Sequence, residues 1–357
     1  MTAHGPLISL VGAPLLTGFA DARHRHRMVV SLTLIGVIIT ILVMPTTKQF
    51  GLLFLIVAIY SFLGSPIISL ADSATMSMLG DQHALYGRIR TGGTIGWGLA
   101  APLAGMLIEN NGLRWAFWLY AAGMFAALLS SQGLRFGSVA VQQSFRKGFK
   151  TLMSNRNWLL FLLMVFIAGT GMASVTTYLF PFMEEVGASR SMMGLSQAIA
   201  TLAELPFLFF ANQLITRFKA RGLLLISMAV VGVRLILYWA FPTPTAIMLI
   251  QLLHGLTFAT IWVAGVSYAH DNAPAGVEAT AQGIFGGTMM GVGAAAGNFF
   301  GALLLEAVGG RMMYLIMGLL VLISLGLFLL LEKRLTDPVR VHLSEEAPVT
   351  VVEKTNA

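Results

Sequence analysis

Eleven apolar stretches, most of them long enough to cross a bilayer as an α-helix, alternate with short polar loops along this chain. A transmembrane helix needs about 20 predominantly apolar residues. Hydrophobic residues make up 57% of the sequence and charged residues 10%, against about 25% charged residues in soluble domains. The sequence therefore predicts an all-α polytopic membrane protein. The apolar stretches are 6–20, which is short, 28–46, 51–79, 91–109, 115–133, 157–182, 192–215, 222–241, 244–269, 280–305 and 312–332.

The positive charges are divided unequally between the two sets of alternating loops. Of the 22 Lys and Arg residues, 17 fall in the set that contains loop 21–27, 4 fall in the other set, and Arg234 lies within an apolar stretch. Positively charged loops of membrane proteins stay on the cytoplasmic side. We therefore expect a multi-pass protein of the cell membrane (a plasma or inner membrane), with loop 21–27 and the C-terminus in the cytoplasm.

The longest basic loop divides the chain into two parts that resemble each other. Glu109 and Arg114 recur as Glu306 and Arg311, each 197 residues later. Parallel repeats of about six spans are a known transporter design. We therefore expect the fold of two pseudo-symmetric six-helix halves, apparently lacking the first helix; a true eleven-span protein is the alternative. The predicted domains are an N-terminal half of five spans at 1–133, a basic cytoplasmic loop at 134–156, a C-terminal half of six spans at 157–333 and a disordered cytoplasmic tail at 334–357.

The sequence lacks the motifs of the common enzyme classes. It has no cysteine, no phosphate-binding loop of the Gly-Lys-Ser/Thr type, no His-Glu-x-x-His and no Gly-x-Ser-x-Gly. We predict a protein that is not an enzyme and that uses no cofactor and no metal. Because its positive charge lies in loops between spans, we expect no nucleic-acid partner. The predicted partners are the lipid bilayer, a small-molecule solute and protons, and the predicted state is a monomer.

Four ionisable residues interrupt the apolar stretches: Asp72, Glu204, Arg234 and His254. Such groups are expensive in a bilayer and usually face a cavity or one another. A carboxylate, an arginine and a histidine on three consecutive spans have the composition of a proton relay, because burial and a nearby cation set when a carboxyl group ionises and histidine titrates near neutral pH. The alternative is structural: a Glu–Arg pair that locks helices together and a histidine satisfied in the core.

Three segments of the sequence resemble the major facilitator superfamily. The first, "ADSATMSMLGDQHALYGRIRTGGTIGW" at 71–97, is similar to helices four and five of its sugar–proton symporters; the second begins "FFANQLITRFKARG" at 209, and the third is "LIQLLHG" at 249. The resemblance is to the lactose-permease-like and nucleoside–proton symporter-like subgroup. It implies that Asp72, Arg90 and Trp97 bind the solute and that Arg234 and His254 couple protons.

Several positions depart from the pattern of that subgroup. Thr257 and Thr201 stand where its symporters have carboxylates, and Glu204 lies one helical turn from Thr201, so we assign the carboxylate of the proton site to Glu204. Loop "GFADARHRHR" at 18–27 matches the cytoplasmic motif of the superfamily in part, at Asp21 and Arg25. The resemblance implies that these two residues belong to a gating loop.

These observations predict a secondary active transporter that carries a small polar solute, such as a sugar or a nucleoside, together with protons by alternating access. Asp72 and Arg90 on adjacent spans favour a neutral polyol or nucleoside, since an organic acid would be repelled by Asp72. Proton-driven efflux of an amphipathic compound is one alternative. A non-transporting or inactive membrane protein is the other.

Overall fold

The computed structural model describes residues 4–112, 114–136 and 145–336, and these residues form α-helices joined by short turns, with no β-strand among them. The helices are α1 (His4–Arg23), α2 (His26–Val43), α3 (Phe50–Gly64), α4 (Ile67–Leu79), α5 (Tyr86–Asn111), α6 (Arg114–Ser131), α7 (Phe145–Ser154), α8 (Arg156–Glu185), α9 (Arg190–Phe209), α10 (Ala211–Ala240), α11 (Pro244–Ile250), α12 (Thr260–Asn272), α13 (Glu278–Gly286) and α14 (Ala294–Thr336).

Seven helical segments of the described residues are long and apolar enough to cross a membrane. One of them, Glu278–Leu331, has 54 residues, about 80 Å of helix against a hydrocarbon core of about 30 Å. It breaks at Gly309, where φ is +78°, and therefore supplies two spans. Helices α1, α5 and α6, which are not among these seven segments, are 20, 26 and 18 residues long. Glu278–Leu331 counts as two spans, the other six segments as one each, and these three helices bring the described residues to the eleven helical spans predicted from the sequence.

The ends of the helices follow from local side-chain chemistry. The Asn155 side chain accepts hydrogen bonds from the backbone N–H groups of Asn157 and Trp158, at 2.9 and 3.3 Å, and so caps α8. Thr243 caps α11 with Pro244 in its first turn. Helix α10 breaks at Lys219, where φ is +60°. The residues before this break continue the predicted stretch 192–215, and the next membrane span begins after it.

A short helix lies inside the stretch that we predicted as the central loop. Helix α7 buries Gly148 and Leu152, and Gly148 lies beside the Val277 side chain. The rest of that stretch includes residues 137–144, which lie outside the described residues, as does the predicted tail from residue 337 onward. Helix α7 therefore packs part of the linker against the second half.

The second half holds the larger hydrophobic core. Helices α8, α10 and α14 pack around fully buried Trp158, Phe161, Tyr238 and Tyr314. At Gly297 the backbone of α14 approaches the Thr170 carbonyl of α8 so closely that no side chain fits between them. This glycine therefore lets α14 and α8 pack closely within the second half.

The two halves meet mainly along four pairs of elements. Helix α1 packs against α13 and the π-helical turn Gly287–Gly293, α4 packs against α13, and α5 packs against α9. Gly283 of α13 faces the Thr17 hydroxyl and the Ala13 carbonyl of α1 with no room for a methyl group. The halves are therefore in close contact where α1 and α4 end and α13 begins, which we call the Asp21 end of the bundle.

Candidate functional site

A cavity of about 580 Å³ lies between the two halves, above their contact at the Asp21 end. Helix α5 of the first half faces it with Arg90, Thr94 and Trp97, whose spacing of four and three residues places them on one side of a helix. The second half supplies the remaining wall. Its lining residues are Val175, Thr176, Leu179, Phe180, Gln197, Ala200, Thr201, Glu204, Arg234, Gln251, His254 and Phe258.

The three residues predicted to couple protons form a continuous chain of polar contacts beside this cavity. The Glu204 Oε1 atom lies 3.0 Å from His254 Nε2, and His254 Nδ1 lies 3.0 Å from Arg234 Nη1. The second half thus brings together side chains that are 20 to 50 residues apart in sequence. A proton gained or lost at Glu204 changes the contact between its carboxylate and the His254 imidazole. Through that imidazole it also changes the contact with the Arg234 guanidinium.

Arg234 is fully buried and has three further side-chain partners besides His254. Its Nε donates to the Tyr238 hydroxyl at 3.0 Å, its Nη1 donates to Thr257 Oγ1 at 3.2 Å, and its Nη2 donates to Gln251 Oε1. In the part of the chain that the structure describes, no carboxylate lies within 4 Å of it. Its charge is therefore stabilised by neutral groups, which leaves Glu204 paired with His254.

A π-helical turn shapes this part of the site. Residues Gly255–Ala259 form the π-helical turn directly after His254, and single turns of this kind are frequent at functional sites. Gly255 lets this turn approach the Ala203 carbonyl of α9 without an intervening side chain. The close approach brings His254 within hydrogen-bonding distance of Glu204, one residue further along α9.

A hydroxyl from the first half reaches Glu204 across the cavity. Thr94 Oγ1 on α5 donates to Glu204 Oε2 at 3.1 Å. Neither Thr94 nor Gln251 was expected from the sequence, because neutral polar residues in a span carry little signal of their own. A usable signal was the spacing: Thr94 lies four residues after Arg90, and Gln251 three before His254. Each therefore shares a helix face with a charged candidate.

Of the three residues predicted to bind solute, the structure brings Arg90 and Trp97 to the cavity. The Arg90 side chain lies over Gly93, where a methyl group would collide with its Nη1 atom. Trp97 is 62% exposed and offers its ring to the cavity. Arg88, two residues before Arg90, instead lies 4.8 Å from the centre of the Phe209 ring.

Asp72 lies away from the lining of the cavity, at the contact between the halves. Its Oδ1 accepts a hydrogen bond from the Tyr86 hydroxyl at 2.7 Å, and its Oδ2 accepts one from Trp262 Nε1 of the second half at 3.2 Å. Within the described ranges it forms no ion pair with Arg90. Both carboxylate oxygens are engaged, so the substrate role predicted for Asp72 stays a prediction, and its visible contacts link α4 to α12.

The two residues predicted to belong to a gating loop, Asp21 and Arg25, make different contacts. Asp21 accepts hydrogen bonds from the Thr280 backbone N–H at 2.6 Å and from the Thr280 hydroxyl, and it lies 2.7 Å from His26 Nε2. Because Thr280 is in the first turn of α13, the carboxylate also meets the positive end of a helix dipole. Arg25 contacts only its near neighbour Met28 among the described side-chain partners. Asp21 therefore joins the halves in this state, and a gating role for Arg25 stays a prediction.

Comparisons with known proteins agree on the fold. The sequence model described as the MFS_1 like family matches residues 1–316. The chain is 27% identical to the uncharacterized transporter YwbF of Bacillus subtilis over 92% of this chain and 83% of that protein. It is 25% identical to a maltose permease of Geobacillus stearothermophilus over 92% and 84% of the two chains.

Two solved structures show the same arrangement of helices. The nucleoside transporter NupG superposes with a TM-score of 0.67 over 91% of this chain and 90% of that one, at 18% identity. The fucose:proton symporter FucP of E. coli superposes with a TM-score of 0.68 over 92% and 90%, at 16% identity. At these identities the two structures establish the fold alone.

Proposed function

Because the chain belongs to the MFS_1 like family and two of its relatives are named as a transporter and a maltose permease, we propose that it moves a small polar solute together with protons. The observation that carries this proposal is the chain of contacts from Glu204 through His254 to Arg234, which lies on the wall of a cavity between the two halves. Sugars and nucleosides are the first solutes to test, because relatives are named for maltose, nucleosides and fucose.

In this proposal Glu204 is the proton-carrying group. As a carboxylate it accepts hydrogen bonds from both Thr94 and His254. Protonation removes its charge and one acceptor site, and so weakens both contacts. The contact to Thr94 crosses between the halves, so the protonation state of Glu204 changes how strongly α5 and α9 are held together.

Contacts at the other end of the site support alternating access. In this state two hydrogen-bonded links among the described residues join the halves at the Asp21 end, Asp21 to Thr280 and Asp72 to Trp262. Rocking of one half against the other around a central site is the general transporter mechanism, and opening the Asp21 end requires both links to break.

The unequal distribution of Lys and Arg supports a cytoplasmic location for this end and for the C-terminus, in a cell membrane. We propose residues 1–133 and 157–333 as the two moving halves.

Proton movement on solute addition tests the proposed function. Purified protein is reconstituted into liposomes with a pH-sensitive dye, and sugars, nucleosides and organic acids are added in turn to the outside. Transported solutes are expected to alkalinise the outer solution, because each takes protons inward with it. The Glu204→Gln variant is expected to give no such signal. Uptake of a labelled solute without any pH change would contradict symport. Resistance to a toxic compound in cells that express the protein, without solute uptake in the liposomes, would favour efflux.

A further inference from the structure

The charged groups that line the cavity do not balance. Arg90 and Arg234 each contribute a permanent positive charge, and Glu204 is the one carboxylate among the described lining residues. Glu204 is already hydrogen-bonded through both oxygens, and Arg234 through all three nitrogens. The cation left over is Arg90.

The Arg90 guanidinium has no hydrogen bond and no ion pair within 4 Å in the described ranges. Asp72 lies near enough for the two charges to interact, but its two oxygens are engaged by Tyr86 and Trp262 and it does not line the cavity. Asp72 therefore has no free oxygen for the Arg90 guanidinium, which keeps its N–H groups available to a ligand in the cavity.

A second donor in the cavity wall is also unused. Gln251 is 1% exposed, its Oε1 accepts from Arg234, and its buried Nε2 has no hydrogen-bond partner among the described residues. A buried N–H without a partner is costly, and a ligand oxygen in the adjoining cavity would satisfy it. The wall thus offers free donors at Arg90 and Gln251, whereas the acceptors of its one carboxylate are occupied.

From this imbalance we infer that the transported solute carries a carboxylate, which pairs with Arg90 while the rest of the solute packs against the Trp97 ring. The inference rests on the proposed function, since it assigns the solute class of the same cavity. Arginine binds a carboxylate through two parallel hydrogen bonds. The aromatic residues Trp97, Phe180 and Phe258 in the lining would contact the body of the solute, either a sugar ring or an aromatic ring.

Binding measurements on matched pairs of ligands test the inference without any transport. The purified full chain is titrated by calorimetry with three pairs of ligands: gluconate and glucose, glucuronate and glucose, and benzoate and benzamide. At least one carboxylate is expected to bind about tenfold or more tightly than its neutral partner, the gain of a hydrogen-bonded charge pair. Comparison of the sugar pairs with the benzoate pair shows whether the cavity prefers a sugar ring or an aromatic ring.

Three variants locate the effect at Arg90. Arg90→Gln is expected to remove the preference for the carboxylate, and Gly93→Ala, which displaces the guanidinium without removing its charge, is expected to weaken it. Arg88→Gln removes the same charge two residues away, outside the cavity lining, and is expected to bind like the parent. If no carboxylate binds more tightly than its neutral partner, or if Arg90→Gln and Gly93→Ala keep the preference, the inference is overturned. A carboxylate that binds with this preference but moves no protons would contradict the proton coupling in the proposed function and would leave the assigned solute class intact.

Discussion

Replacing Glu204 by Gln is expected to abolish uphill accumulation of solute while leaving exchange of solute across the membrane. Exchange needs only the loaded carrier to reorient, whereas accumulation needs a proton to be bound on one side and released on the other. The amide is permanently neutral and still bonds to Thr94 and His254, so it imitates the protonated state. We expect accumulation in proteoliposomes to fall to equilibrium, with the exchange rate within about threefold of the parent, a difference of less than ~1 kcal/mol.

Glu184→Gln provides the matched control for this prediction. Glu184 is exposed near the end of α8 and does not line the cavity, so the change removes the same charge outside the lining, and both activities are expected to persist. Loss of accumulation and exchange together in Glu204→Gln would assign the residue to solute binding or folding. Persistence of both would show that the proton is carried elsewhere.

Replacing Arg234 by Met is expected to have the largest effect on stability. Arg234 is fully buried, and its loss leaves Gln251, Thr257, Tyr238 and His254 without their common donor. Removing one member of a buried charged network typically costs about 3–5 kcal/mol. We expect the midpoint of thermal unfolding in detergent to fall by roughly 5–15 °C, as measured by intrinsic tryptophan fluorescence.

Two further variants make the Arg234 result interpretable. Arg217→Met removes an exposed arginine of α10 that lies over the Phe218 ring, before the break at Lys219, and is expected to shift the midpoint by little. Arg234→Lys keeps the charge, but a single ammonium group cannot reach all four partners, so an intermediate midpoint is expected. Equal midpoints for Arg234→Met and Arg217→Met would contradict a stabilising role for the buried network.

The spans and the grouping of Glu204, Arg234 and His254 could be predicted because both depend on strong, local signals. A run of about 20 apolar residues has few alternatives to a membrane-spanning helix. Ionisable residues inside such runs are costly unless they meet a partner or a cavity, and on this ground Glu204, Arg234 and His254 are expected to act together. The structure brings them into direct contact.

The environment of Asp72 could not be predicted in the same way. Its partner Trp262 is 190 residues away in sequence, and a tryptophan in an apolar run gives no sign of which polar group its N–H will meet. Spacing and resemblance favour a position for Asp72 beside Arg90. The packing of α4 against the second half instead directs the carboxylate toward Trp262.

Neutral polar residues were missed for a related reason. Thr94 and Gln251 cost little in a span and do not stand out from the many other threonines and amides, so their importance depends on what lies across the cavity. The same holds for α7, whose short amphipathic sequence stands in a basic linker. In each case the tertiary contact, rather than the local pattern, decides the role.

Accumulation driven by an imposed proton gradient tests the central claim most directly. Proteoliposomes are diluted into a more acidic solution, with the solute identified by the binding experiment present at equal concentration on both sides. We predict that internal solute rises above the external concentration and returns to equality when a protonophore is added. Equal concentrations throughout, with the protein folded and the solute still exchanging, would contradict proton-coupled transport.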